Sequence, residues 1–208
     1  MSLASELREL FEKRYVGPRE SFDYVHIGLL IYWLGEDSPK SRSEISNFLG
    51  LGEGSTRTML RRLKEKGMIC ITRDGVRLSD NGFIFFSKLK IFFPAIKEGS
   101  FGALSLGKYS VIVRVNKGKE RVSRGIEQRD ESIRYGAKGT ITLVYEDSHF
   151  MFPGVGEEGC EALHPRAIWD KIRMLTNPKN GDIIIICSAE SVQSAYLGCF
   201  SAALTLNL

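Results

Sequence analysis

The dipeptide Asp74-Gly75 constrains this chain more than any other pair of residues, because Asp-Gly favours a tight β-hairpin turn and here it lies between two short extended runs, 68–72 and 76–78. A hairpin that short cannot stand alone in water. What precedes it is helical. Thr56, Met59, Leu60 and Leu63 recur at helical spacing to give one buried stripe, Ser55 is read as the cap that accepts from the free N–H groups of the first turn, and Gly67 supplies the left-handed stop. Further upstream, Ser41 or Ser43 caps a short helix with Ile45, Phe48 and Leu49 on one face, and residues 50–54 turn into the next helix. A longer helix over 22–34, apolar at Val25, Ile27, Leu29, Leu30 and Trp33, is ended by Gly35 and Pro39. Ser79 caps another helix directly after the hairpin.

Charge is concentrated in the same stretch. The whole chain of 208 residues carries a formal net charge of +4. Residues 54–77 hold Arg57, Arg61, Arg62, Lys64, Lys66, Arg73 and Arg77 against Glu65 and Asp74, a net +5. A basic stripe, more than a basic total, marks a face that meets phosphates. On a helical wheel the side opposite the apolar stripe carries Arg57, Thr58, Arg61, Arg62 and Glu65, side chains suited to phosphates and base edges. Arg73 and Arg77 at the hairpin are placed to meet the backbone or the minor groove beside it. Any solvated helix has a charged outer face, but such a face tends to alternate signs, whereas this one has three arginines to one glutamate. Ser55, Arg57, Thr58, Arg61, Arg62, Arg73 and Arg77 are therefore the expected contacts to duplex DNA.

The order helix, helix, turn, helix, hairpin, helix, with the phrases Leu63-Lys64-Glu65-Lys66-Gly67-Met68-Ile69 and Arg77-Leu78-Ser79-Asp80-Asn81-Gly82, resembles winged-helix transcription regulators of the MarR and related families over residues 22–93. The resemblance implies a DNA-binding fold, although some winged helices bind protein or RNA. The helix after the hairpin, 81–93, is apolar at Phe83, Ile84, Phe85, Phe86, Leu89, Ile91, Phe92 and Phe93, nearly around its circumference. It is expected to bury one face in its own domain and another against a second body, most simply a second copy in a homodimer reading two half-sites.

Pro94 breaks that helix, and the glycines and serine of 97–102 read as a hinge. The expected division is a domain over 1–96, a linker over 97–105 and a second domain over 106–208. Beyond the linker, Tyr109, Val111, Val113 and Val115 alternate, as do Ile141, Leu143 and Tyr145, and residues 182–187 form a continuous apolar run suited to a central strand. Phe150 and Phe152 suggest a fourth strand, and helices are expected over 122–135, 165–175 and 188–206. The order β, α, β, β, α, β, α predicts an α+β fold: a two-layer sandwich with helices on one face of a mostly antiparallel sheet. The phrases Gly125-Ile126-Glu127-Gln128-Arg129-Asp130-Glu131-Ser132-Ile133 and Gly136-Ala137-Lys138-Gly139-Thr140 resemble an uncharacterised domain that follows a winged helix in a set of archaeal proteins, covering about 106–206. That likeness, and a looser one to small insertion domains of some aspartyl-tRNA synthetases and amidotransferases, implies a fold and no activity.

Chemistry in this half is sparse. Gln128, Arg129, Asp130 and Arg134 cluster on one helix with Lys138 after it, and Ser188 is read as lying at the start of the final helix, where free N–H groups hold anions; these six are the candidate ligand contacts. Salt bridges on a wet helix and an ordinary cap account for them equally well. Residues 154–159 match G-x-G-x-x-G by letter, but two glutamates inside it disfavour phosphate, so a loop is expected. Asp147-Ser148-His149 lies within one turn, and no relay of nucleophile, base and acid is evident, so no catalytic residue and no enzyme activity are expected. Cys70, Cys160, Cys187 and Cys199 stand singly, and Cys160 with His164 makes only two ligands, so neither disulfide, metal nor cofactor is expected. No apolar run approaches the eighteen residues needed to cross a bilayer, and the charged segment 6–14 argues against a secretory leader, so the chain is expected in the cytoplasm. The resulting expectation is a DNA-binding transcriptional regulator whose second domain senses a small-molecule effector or mediates assembly. The alternatives are a metabolic enzyme or an RNA-associated adaptor that uses the winged helix as a scaffold.

Overall fold

The computed structural model describes residues 2–12, 20–154 and 160–207. The chain divides into two units between Lys90 and Ile91, and its mixed α+β content comprises eight α-helices and two antiparallel sheets among the described residues.

The first unit holds α1 (Leu3–Phe11), α2 (Tyr24–Glu36), α3 (Arg42–Leu49), α4 (Glu53–Glu65), β1 (Ile69–Thr72), β2 (Gly75–Leu78) and the start of α5 (Asp80–Phe92). The starts of α2 and α3 are fixed by short polar side chains. Asp23 caps α2 by accepting from the Val25 and His26 N–H groups, with His26 reaching back to the Asp23 N–H. Ser41 caps α3 in the same reciprocal manner with Glu44, and the bond from the Ser41 side chain, then that from its main chain, holds the Glu44 carboxyl below the usual range. Ile45, Leu49, Met59, Leu60 and Leu63 are buried, so α3 and α4 meet along the apolar stripes read from their spacing.

The hairpin pairs Thr72 with Gly75, which leaves Arg73 and Asp74 as the two turn residues. A third segment joins it: the Lys40 N–H donates to the Val76 carbonyl at 2.9 Å and the Val76 N–H to the Lys40 carbonyl at 2.8 Å. Gly75 sits at that crossing with φ of +133°, and a Cβ there would lie 2.7 Å from the Lys40 oxygen, so only glycine lets the two backbones meet. Helix α5 is not buried all round: Phe85, Phe86 and Leu89 are buried, whereas Phe83 and Ile84 are 55% and 61% exposed.

The second unit is built on a five-stranded sheet in the order β3 (Ala95–Glu98), β4 (Tyr109–Val115), β7 (Asp182–Ala189), β5 (Ala137–Glu146), β6 (His149–Met151), with every pairing antiparallel. The segment 97–105 is not a free linker. Its first residues belong to β3, paired to β4, residues 102–104 make a 3-10 turn, and Phe101 is fully buried.

Helices α6 (Ile126–Arg134), α7 (Arg166–Thr176) and α8 (Val192–Leu204) do not share one face. Trp169 and Ile172 of α7 pack with Phe150, Leu143, Ile112, Ile184 and Ile186, one alternate set of strand residues. On α8, Cys199 meets Cys187, a member of the other set, and donates to the carbonyls of Val111 and Ile185. Strand β7 is consequently buried at all eight positions. The expected two-layer arrangement is therefore corrected to helices on both faces. The continuous apolar run of β7 carries that signal, since a strand with one wet face alternates.

Candidate nucleic-acid interface

Helix α4 begins three residues earlier than the sequence suggests, with Gly52 at its N-cap in place of Ser55 and no side-chain cap. Ser55 is therefore inside the first turn, and its hydroxyl pairs with that of Ser21 at 3.0 Å. The early start leaves the apolar register unchanged, so Arg57 and Arg61 still lie one turn apart on the outer side, both exposed, with exposed Lys64 following at the next turn. Neither arginine has an ion-pair partner among the described residues. Thr58 is half-buried, and its hydroxyl donates back to the Gly54 carbonyl at 2.9 Å, so it is engaged within its own helix.

Arg62 departs from the expectation. Its guanidinium forks onto both oxygens of Glu20, with Nη1 to Oε2 at 2.9 Å and Nη2 to Oε1, and lies 5.6 Å from the centre of the Phe22 ring. A bidentate carboxylate and an aromatic face together satisfy this cation and fix it in place. It is an internal strut of the first unit, not a free side chain for phosphate. Lys66 is likewise turned to the Glu9 carbonyl of α1.

At the hairpin, Arg73 occupies the turn and Arg77 pairs across the strands with Cys70; all three are exposed. Arg73 and Arg77 have no carboxylate partner among the described residues. Of the seven residues expected to meet DNA, four arginines on two adjacent elements thus remain exposed and uncompensated.

The six candidate ligand residues of the second unit are not brought together. Gln128 is buried and donates to Thr205 at 2.7 Å. Arg129 pairs with Asp130 at 2.9 Å, Arg134 with Glu131 at 3.1 Å, and Lys138 with Glu190 at 2.8 Å, which holds the Glu190 carboxyl low. Ser188 lies within β7, bonded to the Leu106 N–H and the Ser110 hydroxyl, while Ser191 caps α8, so Ser188 does not stand at a helix start. Of these six, Arg129 lines a cavity with Arg124 and Thr142. The 154–159 loop reading falls, apart from Gly154, on residues outside those described.

Cys160 is buried and its thiol donates to the Phe150 carbonyl at 3.0 Å; burial, then the neighbouring Glu161, push it up to about 11. It is held as a neutral thiol. His149 lies with its Nδ1 2.7 Å from the Asp147 carbonyl. No described helix is long and apolar enough to cross a membrane.

Two families match the chain in different halves. One, described as the PH0730-like N-terminal domain, matches residues 29–84. The other, described as a domain of unknown function, DUF4443, matches residues 106–206. Among curated proteins none matches. The hypothetical protein PH0730 from Pyrococcus horikoshii OT3 is a similar solved structure, 28% identical, with a TM-score of 0.70 over 86% of this chain and 90% of its own. The chain is thus similar, along most of its length, to a hypothetical protein of archaeal origin.

Proposed function

We propose that the first unit is a winged helix that binds duplex DNA, with α4 as the recognition helix and the β1–β2 hairpin as the wing, and that the protein acts as a transcriptional regulator and not as an enzyme. The observation that carries this reading is the set of exposed arginines with no carboxylate partner among the described residues, Arg57 and Arg61 on α4 and Arg73 and Arg77 on the hairpin. Arg62, Arg114 and Arg173 are matched to carboxylates within the fold, whereas these four, on neighbouring elements, are suited to an external polyanion. The order α2, α3, α4, hairpin, with residue 40 adding a third backbone to the hairpin, supports the same reading.

The proposed active form is a homodimer joined through the outer side of α5, where Phe83 and Ile84 are exposed. Two copies would present two recognition helices to half-sites about one helical turn apart. Size-exclusion chromatography with light scattering of Phe83→Glu/Ile84→Glu should then return a monomer.

The test of DNA binding is a titration of a genomic duplex library at several salt concentrations. The expected result is binding that weakens steeply with salt, with a slope reduced by about one for each arginine removed by alanine. Absence of duplex affinity at low salt, or unchanged affinity in Arg57→Ala/Arg61→Ala, would overturn the reading.

A further inference from the structure

The second unit contains a cavity of about 500 Å³ where the start of α6 meets β5 and the Phe152-Pro153 turn. This is within the size range of small-molecule sites. Three independent features of its wall point to an anion. First, Gly125 is the N-cap of α6 and no side chain caps the helix, so the N–H groups of its first turn have no side-chain acceptor among the described residues. Second, Arg124 and Arg129 line the same cavity, both with exposed side chains. Third, Thr142 is 6% exposed, and its buried hydroxyl has no hydrogen-bond partner among the described residues.

The hydroxyl belongs to this spot. Gly125 has φ of +78°, and a Cβ there would lie 3.1 Å from Thr142 Oγ1, so the helix start and the hydroxyl are immediate neighbours. Thr140, the next residue on the same face of β5, is already engaged with Ser132 and Cys187, which leaves Thr142 as the unanswered donor. The rest of the wall is apolar, from Ile126, Ile141, Phe152 and Pro153.

We infer that this cavity binds a small organic phosphate, the phosphate seated between the start of α6, Thr142 and the Arg124 and Arg129 guanidinium groups, its apolar body against Phe152 and Ile126. Phosphate is favoured over carboxylate by the number of donors: a helix start, a hydroxyl and two guanidinium forks exceed what two carboxylate oxygens accept. Arg129 exchanges its exposed partner Asp130 for the ligand. The site lies wholly within the second unit and does not depend on the DNA reading.

Isothermal titration of the full chain with phenyl phosphate, inorganic phosphate, benzoate and phenol tests each part. Phenyl phosphate should bind with a Kd of about 1 mM or tighter, inorganic phosphate more weakly, and benzoate and phenol least. Thr142→Val, which keeps the shape and removes the hydroxyl, should weaken phenyl phosphate by about tenfold, and Arg124→Ala/Arg129→Ala by more. Thermal melting of each variant without ligand distinguishes a lost contact from a lost fold, since exposed Arg124 and Arg129 can be removed without unfolding. Absence of phenyl phosphate binding, equal binding of benzoate, or unchanged binding in the double arginine variant overturns the inference.

Discussion

The two units differ in how many of their arginines they match to carboxylates. In the second, arginine after arginine is matched to a carboxylate: Arg114 with Asp182 at 3.0 Å in the interior, Arg173 with Glu161 at 2.5 Å, Arg134 with Glu131, Arg129 with Asp130. In the first, Arg62 alone on the outer side of α4 is so treated, by Glu20, while Arg57, Arg61, Arg73 and Arg77 are left exposed. A matched cation is already satisfied within the fold and contributes to its shape. An unmatched one retains its field for a partner. The difference teaches that a count of basic residues says less about a polyanion site than the list of carboxylates they have already found.

The comparison breaks most visibly in the interior of the second unit. Asp182 is fully buried and accepts from the Lys117 and Lys179 N–H groups as well as facing Arg114, whose Nη1 donates to the Thr176 carbonyl. Arg114→Ala should cost about 3–5 kcal/mol, because it leaves a buried carboxylate without its cation; urea unfolding reads this, and a cost under about 1 kcal/mol would contradict a structural role. Arg57→Ala/Arg61→Ala should do the reverse, weakening duplex binding by tenfold or more at moderate salt while changing stability by no more than about 0.5 kcal/mol. Arg62→Ala belongs between the two: a loss of about 1–2 kcal/mol from the broken Glu20 fork, and a smaller effect on the salt slope than Arg61→Ala. The smallest effect is expected from Arg134→Ala, whose pair with Glu131 is exposed and worth about 0.5 kcal/mol or less.

Cysteine reactivity sharpens the contrast by a different route. Cys70 is exposed on the hairpin, whereas Cys160, Cys187 and Cys199 are buried, and burial raises the Cys160 and Cys199 thiols. One thiol should therefore react fast in the native protein. Carboxymethylation of Cys70, directly across from Arg77, should lower duplex affinity by setting a negative charge beside a guanidinium. Unchanged affinity after full modification would remove the hairpin from the interface.

Features set by neighbours in sequence were legible before any coordinates. The stripe Thr56, Met59, Leu60, Leu63, a serine cap at 41 or 43 and a strand over 109–115 each follow from spacing of a few residues, and each is found, with Ser41 the cap and β4 buried at every position after the first instead of alternating. What depended on distant residues was not legible. Glu20 lies 42 positions from Arg62, and nothing in the helix itself says that this arginine is taken. Ser55 misled because a good capping residue one turn inside a helix looks the same in a sequence as one at its edge, while Gly52, the actual cap, carries no side-chain signal. Strand β3 is four residues long and follows a proline, too short for alternation to register. The cavity beside α6 draws on segments near residues 125, 142 and 153, and only the paired sheet brings them together.

The bridge between residue 40 and the hairpin has a mechanical consequence. Two strands on their own would sway, and a mobile arm loses much of its contact energy when it is immobilised on a partner. Here two main-chain bonds at 2.8 and 2.9 Å anchor the arm to the segment that leads into α3. The arginines at its tip are accordingly aimed before any partner arrives, and a methyl group at Gly75 would unfasten that aim without touching a single charge.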